Sequence, residues 1–100
     1  MVAKRKVIWP QTPKQQLREI YDHIKKDSLQ NADKVRSAIV SAVIELCENP
    51  GRYNPDKFKK NNDGSFRAFE LYHFRIAYQV KEKEIIIVRV RHTSMEPSAY

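Results

Sequence analysis

The chain has 100 residues, 41% of them hydrophobic and ten aromatic, which is enough for one core but not two and too apolar for disorder. Nineteen Lys and Arg against twelve Asp and Glu give a net charge of +7, so the partners it suits are anionic: nucleic acid, a membrane surface or an acidic protein. A single cysteine excludes an internal disulfide, and no apolar run reaches the roughly 18 residues of a spanning helix.

After the basic start MVAKRK, residues 7–9 (VIW) predict a short strand that Pro10 ends. VIW is far too short for a signal-peptide core, so the sequence reads as a cytoplasmic domain over residues 1–100. Thr12-Pro13 predicts a helix start, with threonine as cap and proline at the first helical position. Leu17, Ile20, Tyr21 and Ile24 then form one apolar stripe, and Lys25 and Lys26 close the last turn. Ser28 or Asn31 caps a second helix, whose buried face is Val35, Ala38, Ile39, Ala42, Val43 and Leu46. Cys47 continues this apolar pattern and is expected as a buried, inert thiol. Asn49-Pro50-Gly51 stops the helix, and the short link between the two helices predicts an antiparallel hairpin.

Residues 51–65 form a polar linker with a turn at Asn61–Gly64. Three strands follow, at about 66–72, 74–81 and 84–92. A strand, two helices and a run of strands is an α+β pattern, with the helices on one face of an antiparallel meander and the other face at least partly open. A two-residue Tyr72-His73 turn would pair Leu71 with Phe74, Phe69 with Ile76 and Glu70 with Arg75. In the next hairpin, an even loop would bring Arg89 beside Ile76 on the core side. An odd loop or a bulge instead sets Val88 beside Tyr78, Val90 beside Ile76 and Arg91 beside Arg75. Burying an unpaired arginine costs several kcal/mol, more than a bulge, so the second register is expected. It gathers Glu70, Arg75, Arg89 and Arg91 on the open face and turns His92 away, or leaves it at the strand end where alternation lapses.

The segments VIWPQTPKQQLREIYDHI, ENPGRY, FRIAYQV and VRVRHTSMEPSAY, in this order, resemble the RelE/ParE superfamily of toxins from bacterial type II toxin–antitoxin systems. The resemblance covers essentially the whole chain. It implies a RelE/ParE-like fold in a single toxin domain and a toxin neutralised by a cognate antitoxin, as in plasmid stabilisation. ParE-like members poison DNA gyrase. RelE-like members are ribosome-dependent mRNA endoribonucleases that use no metal. The long helical hairpin looks ParE-like. By resemblance, Arg75 in FRIAY matches the arginine that holds the scissile phosphate in nuclease members. Arg91-His92 falls near the basic end of their last strand, and Tyr100 lies close to their C-terminal tyrosine, one residue short. Met95 departs from the pattern, because related HTSxEP endings often carry arginine there.

Metal-free RNA cleavage needs a base, fixed cations and an acid. Arg75, Arg89 and Arg91 would be the cations, Glu70 or His92 the base, and His92 or Tyr100 the acid. Glu70 has a plainer role as the cross-strand partner of Arg75, and His92 as a capped strand-end imidazole. His73 belongs to a turn and His23 to an exposed helix face. With no metal-ligand spacing among the histidines, neither metal nor cofactor is expected. Lys57, Lys59, Lys60 and Arg67, with Phe58 and Phe66, make a basic-aromatic patch suited to RNA or to the acidic side chains of an antitoxin. Asp56 and Asp63 dilute it. Two functions therefore stand side by side: a gyrase-binding toxin, and a nuclease acting on ribosome-bound mRNA.

Overall fold

The computed structural model describes residues 5–95 and 98–100, so Met1–Lys4 of the basic start and Glu96-Pro97 of the HTSMEP ending lie outside it. Its elements are β1 (Lys6–Ile8), α1 (Gln11–Lys25), α2 (Leu29–Glu45), β2 (Phe66–Leu71), β3 (Phe74–Val80) and β4 (Glu84–His92). The four strands form one sheet in the order β1-β4-β3-β2, with β1 parallel to β4 and the other pairs antiparallel. The first strand lies one residue earlier than VIW, and Trp9 packs half-buried against the core.

The start of α1 differs from the expected cap. Pro10, with φ −61° and ψ 166°, is the N-cap, and its carbonyl accepts from Lys14 N at 3.1 Å. No side chain caps the helix, and Thr12 sits inside the first turn. Proline with its fixed φ already supplies the bend, and Pro13 falls among the first four helical positions, whose N–H groups have no intrahelical partner. Of the two candidates for the second cap, Ser28 is the one used. Its Oγ accepts from Asn31 N at 3.1 Å. Tyr21, late in α1, donates to Asp33, early in α2, at 2.8 Å, as an antiparallel hairpin requires.

The core lies between the helices and one face of the sheet. Ile39, Val43 and Leu46 from the second helix meet Phe69, Phe74, Ile76, Tyr78, Ile85, Ile87 and Val90. Ala32 is also fully buried, while Ala38 and Ala42 are half-buried. Cys47 is half-buried rather than buried, because it follows the helix in a turn. The Tyr78 hydroxyl donates to the Pro50 carbonyl at 3.1 Å, which ties the helix exit to the sheet. Burial raises the Tyr78 pKa to about 12.

The β2–β3 hairpin has the expected register, Leu71 opposite Phe74 and Glu70 opposite Arg75. Tyr72 and His73 both take positive φ, 51° and 66°, as a two-residue primed turn demands. The β3–β4 hairpin combines both registers considered. Four residues join Val80 to Ile85, an even loop, and the register then shifts at a bulge between Ala77 and Tyr78. Beyond the bulge Ile76 faces Val90 and Arg75 faces Arg91, as expected. Before it Tyr78 faces Ile87, not Val88. The bulge sits where the strand changes from isoleucines to arginines, so Ile85, Ile87 and Val90 all stay buried.

Candidate functional site

Alternation places Glu70, Arg75, Arg89 and Arg91 on the sheet face opposite the helices. That face is partly roofed. Asp56 N donates to Phe66 O at 2.8 Å, and Ala68 N donates to Asn54 O, so the linker runs along the edge of β2. Tyr100 N then donates to Phe58 O at 3.0 Å and Lys60 N to Tyr100 O at 2.7 Å, which lays residues 98–100 across the same face. Ala77, on that face, is accordingly only 1% exposed.

Asp56 is the centre of this arrangement and is 2% exposed. Its Oδ1 accepts from Arg75 Nη2 at 2.9 Å and from Phe58 N at 3.0 Å, and its Oδ2 accepts from the Tyr100 hydroxyl at 2.6 Å. Burial pushes the Asp56 pKa up, but the bonds from Tyr100, Arg75 and Phe58 outweigh it and hold the carboxyl below the usual range. Arg75 also donates to Glu70 Oε2 at 3.0 Å, so two carboxylates share its charge. Its Nε is buried without an acceptor, a cost those carboxylates offset. The Tyr100 pKa rises far above that of an ordinary phenol, through burial and then the bond to Asp56 and its charge.

Arg89 lies over the Tyr100 ring, 4.0 Å from its centroid, and donates through Nη2 to Ser98 O at 2.8 Å. Arg91 Nη1 donates to Ser98 Oγ at 2.7 Å. Burial, then the nearby Arg91 charge, push the Arg89 pKa down, partly opposed by Tyr100. Lys57, Phe58, Glu70, Arg75, Arg89, Arg91, His92 and Met95 are among the residues lining one cleft of about 300 Å³. His92, at the strand end, pairs with Phe74 and packs edge-on against its ring at 5.1 Å. Its Nδ1 accepts from Ser94 N at 3.0 Å, the capped state expected of it.

The structure thus brings together Arg75, Arg89, Arg91, Glu70, Tyr100 and Lys57, with His92 at the rim. It splits the basic-aromatic patch. Lys59 caps the Phe66 and Tyr100 rings at 4.7 and 5.3 Å, and Lys60 is exposed. Arg67, opposite Tyr78, shares the helix-side face and donates to the Tyr53 carbonyl. Asp56, taken from the sequence only as a dilution of that patch, is the residue sequence reasoning missed. Among the described residues no group of three or more His, Cys, Asp or Glu could hold a metal, and no helix is long and apolar enough to cross a membrane.

A first strand, a helical hairpin and three antiparallel strands in one β1-β4-β3-β2 sheet make up the RelE/ParE-like α+β fold. The family model for the ParE toxin of the type II toxin–antitoxin system parDE matches residues 7–97, and the chain belongs to that family. Among solved structures it is similar to the chromosomal ParDE system from P. aeruginosa, at 24% identity and TM-score 0.68, covering 89% of this chain and 96% of that one. It is similar to the toxin–antitoxin complex RelBE2 from Mycobacterium tuberculosis, at 17% identity and TM-score 0.62, covering 90% and 99%. A free-state mutant of the E. coli toxin RelE gives 14% identity and TM-score 0.62, covering 90% and 84%. At these identities the three structures speak for the fold. No curated protein matches the chain.

Proposed function

We propose that the chain, as one cytoplasmic toxin domain, is neutralised by a cognate antitoxin protein and acts by binding DNA gyrase, in the manner of plasmid-stabilising toxins. The solved ParDE and RelBE relatives support an antitoxin partner, and the family match to ParE supports the gyrase reading over cleavage of ribosome-bound mRNA.

The observation that carries the reading is Asp56. RNA cleavage without a metal calls for a free base, a free acid and cations ready for the phosphate. Asp56 pairs with the Arg75 charge and accepts a hydrogen bond from the Tyr100 hydroxyl. Glu70 is bound to Arg75, and Nδ1 of His92 is occupied by Ser94. Of the groups named for proton transfer, Glu70 and Tyr100 are thus tied to charged partners, and His92 is held through Nδ1. Met95, half-exposed on the cleft wall, holds no phosphate. What is left is a firmly built basic surface, which suits contact with a macromolecule better than chemistry.

Supercoiled plasmid incubated with gyrase, ATP and the purified protein is expected to accumulate as linear DNA. Plasmid that stays supercoiled at molar excess of the protein would overturn the reading.

A further inference from the structure

We propose that Arg89 and Arg91 form a docking site for an acidic segment of a protein partner, whose carboxylates take the place that Ser98 holds in the free chain. The proposal rests on the reading that this protein works through protein contacts. A polypeptide already lies on this face. Arg89 Nη2 donates to the Ser98 carbonyl at 2.8 Å, its Nη1 to Ser98 Oγ at 3.4 Å, and Arg91 Nη1 to the same Oγ at 2.7 Å. Both acceptors are neutral, and a carboxylate in their place adds ion-pair attraction and can meet a guanidinium with two parallel bonds. Among the described residues Arg75 has two carboxylate partners, whereas Arg89 and Arg91 have none. An incoming carboxylate would also relieve the repulsion between these two neighbouring cations. Ser98 is exposed, and the strap's tight anchors are at Tyr100, so Ser98 can yield while Tyr100 stays bonded to Asp56.

The site favours a peptide over a nucleic acid strand. Its rings are already capped by cations and so are poor platforms for bases: Arg89 over Tyr100 at 4.0 Å, Arg75 over Phe58 at 4.8 Å and Lys59 over Phe66 at 4.7 Å.

Fluorescence anisotropy tests this with a labelled peptide of alternating glutamate and serine, its glutamine counterpart, and a single-stranded RNA oligonucleotide of equal charge. The glutamate peptide should bind best. Replacing both arginines (Arg89→Gln with Arg91→Gln) should weaken it about tenfold, the loss of at least one charge-assisted contact. Ser98→Asp, which supplies the carboxylate from the strap itself, should weaken it by a similar factor and raise the melting temperature. This second variant alters an exposed position and decides the matter even if the double variant fails to fold. Unchanged peptide affinity in Ser98→Asp overturns the docking site, as does RNA binding that exceeds peptide binding and vanishes with the arginines. Gyrase poisoning that survives in Ser98→Asp while the peptide ignores the change sinks the docking site alone. Peptide results as expected, with no effect on gyrase, uphold the docking site and sink the gyrase reading.

Discussion

A carboxylate as buried as Asp56 stays charged only if its oxygens are well supplied, and Tyr100, Arg75 and Phe58 supply them. Asp56→Ala strands the Arg75 charge with only exposed Glu70 to meet it, and should cost about 3 kcal/mol by chemical denaturation. Asp56→Asn keeps the shape and should cost about 1–2 kcal/mol. The pH dependence follows from the depressed pKa. Stability contributed by Asp56 is complete above the ordinary carboxylate pKa of about 4 and is lost as pH falls through the lower folded value. Denaturation midpoints measured from pH 6 to pH 2 should therefore fall less steeply in Asp56→Asn than in the parent. Parallel acid limbs would show that other carboxylates carry the effect. Arg75→Ala leaves Asp56 short of its cation, so any activity lost in that variant must be read beside its stability.

At the scale of elements, the two-residue turn and the bulge decide where the arginines go. Tyr72 and His73 hold left-handed backbone that asparagine and glycine adopt more readily. Tyr72→Asn with His73→Gly should raise the unfolding free energy by about 1 kcal/mol, with the register unchanged. Ser28→Ala removes the one side-chain cap seen on the helical hairpin and should cost about 1 kcal/mol. Thermal denaturation checks both. Much of this layer was legible in the sequence, because alternation along Phe74–Val80 and the cost of burying Arg89 leave few registers open. The even loop with its bulge was not separable from an odd loop, since both bring Arg91 beside Arg75. The cap at Thr12 failed because Pro10 serves as the cap itself.

At the scale of the whole molecule, the sheet face became a site only when two distant segments crossed it. Asp56 meets Arg75 across 19 residues and Tyr100 across 44, so no local pattern announces it. Its signal in the sequence was only an acid misplaced in a basic linker. The arginine cluster was legible because strand periodicity governs it. The loss of Arg67 to the helix side was equally open to that periodicity, since its partner Tyr78 is a core residue. The proposed function has this latched face bind a macromolecule and not cut one. The most direct measurement is primer extension on a defined mRNA incubated with translating ribosomes and the purified protein. The same 5′ ends are expected with and without protein. New ends within codons, present with the parent and absent with Arg91→Gln or His92→Ala, would contradict it.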